Sequence, residues 1–429
     1  MIPLLTLWHY FRTRRLAFRD RAALERYQQR QLARFAHRVL ARSPYFRPYC
    51  RQPLARWPLM DKALMMAQFD RMNTAGLRCD ELLACARRSE RQRDFTPRVN
   101  GFSVGLSSGT SGQRGLFVVS PREQQIWAGG MLAKMLPAGL RAGERVALFL
   151  RADNHLYHSV DHRWLSLRFY DLFAPFADQL PALQAWRPTI IVAPAQVLRE
   201  LALAVRRGEL RLPVKKVISV AEVLEPQDKQ LLRQVFGQVG EVYQATEGFL
   251  AATCEHGTLH LNEEFIHIEP QWLDEQRFTP IITDFTRRTQ PIVRYRLDDV
   301  LVRQTEPCAC GRASMPIARI EGRCDDWLRL ADSQGRPQVI FADLCSRVIA
   351  NALPLEADYR LVQQGDSRLH LSASCSQAEL ERCRDSLIRQ FARQNIDTGR
   401  LQWRLTAAPI AAPFTSKRRR ITRLSEEET

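Results

Sequence analysis

Leu106-Ser107-Ser108-Gly109-Thr110-Ser111-Gly112-Gln113-Arg114-Gly115 sets three glycines at a period of three among four hydroxyl side chains. Glycine permits the positive-φ turns that let successive N–H groups converge on an anion, and Ser and Thr add neutral donors without bulk. The flanking apolar runs, Phe102–Leu106 and Leu116–Val119, read as strands, so the loop is expected to join strand to strand. It therefore opens no helix. It also lacks the Gly-Lys-Ser/Thr ending of a Walker loop and the G-x-G-x-x-G of a dinucleotide fold. The pattern predicts a phosphate cradle of another kind. A flexible Ser/Gly linker is the bland alternative, but linkers are seldom framed by strand-like runs.

Around this loop, apolar runs at 145–150, 189–192 and 214–220 alternate with helical stretches at 195–207 and 227–236. Such alternation predicts a largely parallel sheet with helices on its faces. Upstream, 18–42 is a long surface helix ended by Ser43-Pro44, part of a helical lead-in. The opening segment 1–8 is too short and too close to Arg12, Arg14 and Arg15 for a signal peptide or anchor. It reads as an amphipathic helix start packed on the body, with a peripheral membrane contact as the lesser option. Residues 250–305 hold short strands and turns, as a barrel or ribbon layer would. After Asp325 come a strand, a helix at 342–352, a strand at 368–373, a helix at 377–394 and a strand at 402–406, a compact α+β unit. The expected division is 1–99 as lead-in, 100–324 as the rest of a large domain, and 325–429 as a small one.

The loop resembles the phosphate-binding signature of the adenylate-forming superfamily, the acyl-CoA synthetases and adenylation domains. Three further segments follow in that superfamily's order: Tyr243-Gln244-Ala245-Thr246-Glu247, Arg294-Tyr295-Arg296-Leu297-Asp298-Asp299, and Arg319-Ile320-Glu321-Gly322-Arg323-Cys324-Asp325-Asp326. They carry the likeness along nearly the whole chain. Pro291-Ile292-Val293-Arg294-Tyr295-Arg296, Cys308-Ala309-Cys310-Gly311-Arg312 and Ser43-Pro44-Tyr45-Phe46-Arg47 are similar to the phenylacetate-CoA ligase branch, which includes deazaflavin-coenzyme synthetases. The resemblance implies an α/β adenylate-forming fold: a large domain of mostly parallel sheets with a barrel-like layer, and a small mobile C-terminal α+β domain.

Making an acyl adenylate requires a site that holds ATP, screens its charge and aligns a carboxylate with the α-phosphate. Ser107, Thr110 and Ser111 are the expected side-chain donors of the loop, beside Ser108, with Gly109 and Gly112 allowing close backbone approach. Thr246 and Glu247 would supply a hydroxyl and a carboxylate for Mg²⁺, which favours one or two carboxylates plus substrate oxygens. Asp299 can accept from both ribose hydroxyls. The family pattern departs at Leu297 and Asp298, so the ribose role stays open between Asp298 and Asp299. Ala221-Glu222 stands where the family's adenine-contacting element is expected, and Tyr243 could stack on the purine; a solvated Glu and a buried Tyr are the plain alternatives. The resemblance further implies a nucleotide contact for Arg323, a domain hinge at Asp325, and for Lys417 a bridge between the carboxylate and the α-phosphate. Lys417-Arg418-Arg419-Arg420 also reads as a generic basic tail.

A second constellation is independent of the nucleotide. A hairpin about Gly257 would place Cys254 opposite His260, and Cys308-Ala309-Cys310-Gly311 is a knuckle presenting two thiolates. The set suits a closed, structural Zn²⁺, with His256 as the alternative fourth ligand. Its C-x₅-H and C-x-C spacings are not those of a standard finger, so buried reduced cysteines beside a surface His compete with it.

Composition fits a two-core enzyme: 429 residues, 45% hydrophobic and 25% charged. The net charge of +17 is nearly all arginine spread along the chain, which argues against a nucleic-acid stripe and favours ATP, CoA or an acidic carrier. No apolar run is long enough to span a bilayer. Ten cysteines without a regular framework point to the cytoplasm, and a homodimer is an open option. The expected activity is ATP-dependent activation of a small-molecule carboxylic acid, aromatic by the branch, to acyl-AMP, then transfer to CoA or a carrier thiol. Adenylyl transfer to a phenolic hydroxyl and a non-catalytic nucleotide- or carrier-binding pseudo-enzyme are the rivals.

Overall fold

Five parallel strands form the centre of the molecule, in the order Leu165–Asp171, Glu144–Leu150, Ile190–Ala193, Lys216–Ser219, Gln238–Ala245. The structure, a computed structural model, describes residues 2–94, 97–107, 114–136, 138–151, 165–323, 327–410, 414–415 and 418–424. Ile190–Ala193 is buried at every position. Alternate side chains feed two cores: Val146, Leu148, Ile190 and Val192 enter one, and Ala147, Phe149, Ile191 and Ala193 the other. A strand covered on both faces has no polar phase, which is why these runs are continuously apolar. Helices Ala195–Arg206 and Pro226–Phe236 are the crossovers, as the alternation predicts.

The short strands downstream are antiparallel. They extend the same hydrogen-bonded sheet to twelve strands, beginning where Gln238–Ala245 pairs with Gly248–Thr253. Phe102–Leu106 and Leu116–Val119 form an antiparallel hairpin, so the loop between them does join strand to strand.

The lead-in helix is shorter than its periodicity suggests. It runs Arg21–Arg38 because Asp20 adopts extended backbone and its carboxylate caps the Ala23 N–H at 2.7 Å. A helix not anticipated, Pro121–Met135, opens with a capping box between Ser120 and Glu123. Its Gly129 lets helix Leu4–Arg15 approach closely: a Cβ there would lie 2.5 Å from the Thr6 carbonyl oxygen.

Residues after 326 build a separate core, with sheet order Gln402–Ala407, Arg368–Ala373, Tyr359–Gln364, Ile421–Leu424 under helices Ala342–Ala352 and Gln377–Arg393. All five expected elements are there, with Trp327–Ala331 as the first strand, and Pro337–Phe341, Tyr359–Gln364 and Ile421–Leu424 are additions. No helix among the described residues is long and apolar enough to cross a membrane.

Candidate functional site

Two of the parallel strands end on one edge of the sheet, and each hands over to residues singled out in the sequence. Lys216–Ser219 leads into Val220-Ala221-Glu222, and Gln238–Ala245 into Thr246-Glu247. Thr246 and Glu247 are the two-residue turn at which the ladder changes from parallel to antiparallel. Open α/β sheets leave a crevice at such a switch point. Here a cavity of about 1270 Å³ opens, lined by Ser107, Glu222, Tyr243, Thr246, Glu247 and Asp299 among others.

Ser107 closes the neck of the glycine-rich loop. Its N–H donates to the Gly115 carbonyl at 2.7 Å, and its Oγ accepts the Gly115 N–H at 2.8 Å. The hydroxyl proton is left to donate. Arg114 braces the neck from outside, bonding the Ser107 carbonyl and pairing with Glu90. Ser108, Gly109, Thr110, Ser111 and Gly112 lie outside the described residues.

The Thr246 hydroxyl donates to Glu247 Oε2 at 2.9 Å, and Glu247 is 8% exposed. Two oxygens that far apart match an octahedral edge, which is about 2.9 Å for Mg–O bonds of 2.0–2.1 Å. Arg287 fixes the turn by donating to the Thr246 carbonyl at 2.9 Å. Burial, with the Glu247 carboxylate facing it, pushes the Tyr295 hydroxyl well above the usual tyrosine range.

Tyr243 and Asp299, read separately in the sequence, form a pair: the phenol donates to Asp299 Oδ2 at 2.6 Å. Asp298 is exposed whereas Asp299 is half-buried and opens the strand Asp299–Arg303. That strand's register sets Asp299 opposite Arg323, and the next pair brings in Gly322 at φ +111°, a conformation that excludes a side chain without strain. The Arg323 side chain, like Asp325, lies outside the described residues.

Ala221 has φ +66°, and the Glu222 N–H returns to the Val220 carbonyl at 2.8 Å, a tight three-residue turn. Positive φ in a residue with a Cβ costs about 1–3 kcal/mol and is held only where surroundings impose it. Glu222 is held by the Gln196 N–H at 3.1 Å, the Arg418 N–H at 3.4 Å and Arg151 at 3.9 Å. Burial raises its carboxyl above the usual range against those partners. Lys417 is outside the described residues; it falls between Thr415 and Arg418, both of which line the cavity. The arginines after it are not a solvated tail, since Arg418 and Arg420 have side chains 6% and 3% exposed.

Several lining residues had escaped notice. Lys62 reaches the loop neck, with its Cγ 3.7 Å from where a Gly115 Cβ would be. Asp284 sits at the same switch point, and burial lifts its carboxyl to about 6 despite Thr286 and Arg287. Its Asp284-Phe285-Thr286 turn, with Oδ1 accepting from the Thr286 N–H at 2.7 Å, was readable as an Asx turn. Ile218 and Val220 also line the cavity.

Away from the cavity, Cys254, His260, Cys308 and Cys310 offer ligand atoms all within 4.8 Å of one another. The hairpin does turn at Gly257, but His260 pairs with Ala252, so Cys254 and His260 are diagonal neighbours on one face rather than directly opposite. The Cys254 and Cys308 sulfurs are 3.7 Å apart, close to the tetrahedral edge of about 3.8 Å that Zn–S bonds of 2.3 Å require. Cys310 Sγ lies 3.3 Å from His260 Nε2, and His260 Nδ1 is 3.1 Å from the Ser314 carbonyl. A proton on Nδ1 shared with that carbonyl leaves Nε2 as the ligand atom. His256 is exposed and not in the cluster.

No protein-family model matches the chain, and no curated protein does. Among solved structures it is similar to 2-hydroxyisobutyryl-CoA ligase in the postadenylation state with 2-HIB-AMP, at 19% identity over 95% of this chain and 90% of that one, with a TM-score of 0.69. The same ligase in an open conformation with 2-HIB-AMP and CoA scores 0.56, and in the thioesterification state 0.53. The amide bond synthetase McbA from Marinactinospora thermotolerans is similar at 11% identity, over 73% of this chain and 68% of that one, with a TM-score of 0.54. The fold is that of the adenylate-forming ligases. At these identities the likeness is one of fold.

Proposed function

We propose that the protein is an ATP-dependent ligase that converts an organic acid to its acyl adenylate, releasing pyrophosphate, and passes the acyl group to CoA or a carrier thiol. The observation that carries this reading is the convergence of four separated segments, at Ser107, Ala221-Glu222, Tyr243 to Glu247 and Asp299, on one cavity at the sheet's switch point. Each has the chemistry its place requires. Ser107 and the loop it anchors donate to the triphosphate. The Thr246–Glu247 oxygens fit Mg²⁺, which when bound would screen phosphate charge. Asp299, oriented by Tyr243, accepts from the ribose, in preference to exposed Asp298. The strained turn at Ala221 presents backbone to the adenine, with Glu222 holding Arg418 beside it. Lys417 supplies the cation between carboxylate and α-phosphate, and Arg323 and Asp325 lie where the small domain, taken as starting at 325, joins the large one.

The acid would enter the apolar end of the cavity, walled by Trp127, Met131 and Met135 from one helix, by Leu148 and Ile218 from the sheet and by Val220 just after it. Such walls suit an acid with an apolar body, and aromatic acids are the first class to test. The higher score with the postadenylation state of the similar ligase supports a domain arrangement of the adenylating kind. The Cys254–His260–Cys308–Cys310 set would hold a structural Zn²⁺ with no open position, because four protein ligands complete a tetrahedron. The decisive experiment is pyrophosphate release over a panel of acids, with and without CoA, followed by mass spectrometry of the product. A CoA-dependent thioester is expected. No pyrophosphate with any acid, or an adenylylated hydroxyl as product, would overturn the reading.

A further inference from the structure

Helix Leu4–Arg15 is inside out. Amphipathic surface helices bury their apolar stripe. This one buries Thr6, Tyr10 and Thr13 against the body, and leaves Leu4, Trp8 and Phe11 84%, 56% and 51% exposed. Those three recur at i, i+4 and i+7, and Arg15 continues the row at i+11, so they form one outward stripe that is apolar first and basic in the last turn. The burial of Thr6 is secured by the glycine contact at Gly129, so the helix cannot roll over to hide the stripe without losing that close approach. A stripe of this kind, held outward by packing, is built for an apolar partner.

The charge beside it says which partner. Arg12 stacks over the Trp8 ring at 5.5 Å. Burial, with Arg12, Arg122 and Arg288 crowding around it, lowers the His9 pKa to about 4. Burial, then Arg122 and Arg38, depress Arg288 against the opposing pull of the Glu123 carboxylate. Arg38, Arg122 and Arg288 are exposed, and among the described residues none of the four arginines has a carboxylate within ion-pair distance. Arg122 also sits in the first turn of its helix, where the backbone dipole adds positive potential. A second copy of the chain docking on this face about a two-fold axis would set arginine cluster against arginine cluster. An anionic surface would neutralise them while the apolar side chains enter it.

We propose that the outward face of helix Leu4–Arg15, with the neighbouring cluster of Arg12, Arg38, Arg122 and Arg288, docks the protein on an anionic lipid surface. Tryptophan and phenylalanine would enter the headgroup boundary while the guanidiniums bind lipid phosphates. This does not rest on the ligase reading, because none of these residues is placed in the nucleotide site.

The test is co-sedimentation of the full chain with phosphatidylcholine vesicles, with and without about one third phosphatidylglycerol, a share sufficient for a strongly negative surface potential. Binding to the anionic vesicles should be roughly tenfold tighter or more, and largely lost in about 0.5 M salt, where the Debye length falls well below its physiological value. A Leu4→Ser, Trp8→Ser, Phe11→Ser variant should lose most of the bound fraction with an unchanged circular dichroism spectrum. An Arg122→Gln, Arg288→Gln variant, which leaves the helix sequence intact, should lose the preference for anionic lipid. No vesicle binding by the wild type, equal binding to both vesicles, or a wild-type dimer that the triple variant converts to monomer would each overturn the proposal, the last in favour of a second copy.

Discussion

The Tyr243–Asp299 hydrogen bond separates two adjacent acids that the sequence leaves equivalent. Asp298 precedes the strand and is exposed, whereas Asp299 opens it, half-buried, and accepts from a phenol at 2.6 Å. The sequence showed two acidic residues in a row with no means of choosing between them, because the choice depends on the register of the strand with its neighbour at Arg323. If the phenol holds the carboxylate for ribose, Tyr243→Phe should raise the KM for ATP about tenfold, since bonds to charged groups contribute about 1.5–3 kcal/mol. Asp299→Asn should do at least as much, and Asp298→Asn should stay within about twofold of wild type, as exposed substitutions usually do. Steady-state kinetics at saturating acid reads all three. Equal losses from both aspartates would reassign the ribose contact.

At the scale of elements, legibility followed whether a pattern was local. The hairpin around the glycine-rich loop, the crossover helices and the Gly257 turn each depend on one short contiguous stretch, and their residues announced them. The burial sense of helix Leu4–Arg15 did not follow from its own sequence. It is set by Gly129, more than a hundred residues away, which admits a Thr face that periodicity would have sent to solvent. Likewise the helix ending and the joining of the antiparallel strands to the parallel ladder are tertiary outcomes. The Cys/His cluster lies between these cases: each half is a local turn, and the meeting of the halves is a sheet contact between Leu259–Leu261 and Pro316–Arg323. If it holds zinc, purified protein should contain about one metal equivalent, a single closed tetrahedral site. A Cys308→Ser, Cys310→Ser variant should lose the metal and about 5 °C or more of Tm, because metal binding free energy is folding free energy. Elemental analysis and calorimetry check both, and metal-free wild type of unchanged Tm would refute the site.

Across the whole molecule, the two sheets are fastened by a buried charge cluster that no sequence pattern disclosed, because its members come from four distant stretches. Asp228, fully buried, accepts from Arg199 at 2.7 Å and from Arg420 at 3.0 Å, and its other oxygen accepts from Arg418. Asp358 takes further bonds from Arg418 and Arg420, at 3.3 and 2.9 Å. Burial alone would raise the Asp228 carboxyl; Arg420, Arg418 and Arg199 outweigh it and hold the group well below the usual carboxylate range. Its stabilising effect is therefore present above its unfolded pKa of 3.8 and disappears as pH falls below it. Gln227 adds bonds to the Pro354 and Ala357 carbonyls, at 2.8 and 3.1 Å, so the small unit is held in one orientation by charge and amide together. Breaking a buried ion pair by removing one partner costs about 3–5 kcal/mol. Asp228→Asn should thus free the C-terminal unit, lowering its calorimetric transition and cutting pyrophosphate release about tenfold or more, while thioester formation from a supplied acyl adenylate persists. If Lys417 is the catalytic cation, Lys417→Ala should remove pyrophosphate release without moving Tm, because such a cation is not a fastening. The two variants differ in stability and agree in the half-reaction lost. If Asp228→Asn keeps both its Tm and its adenylation, the cluster neither holds the orientation nor matters to the first step.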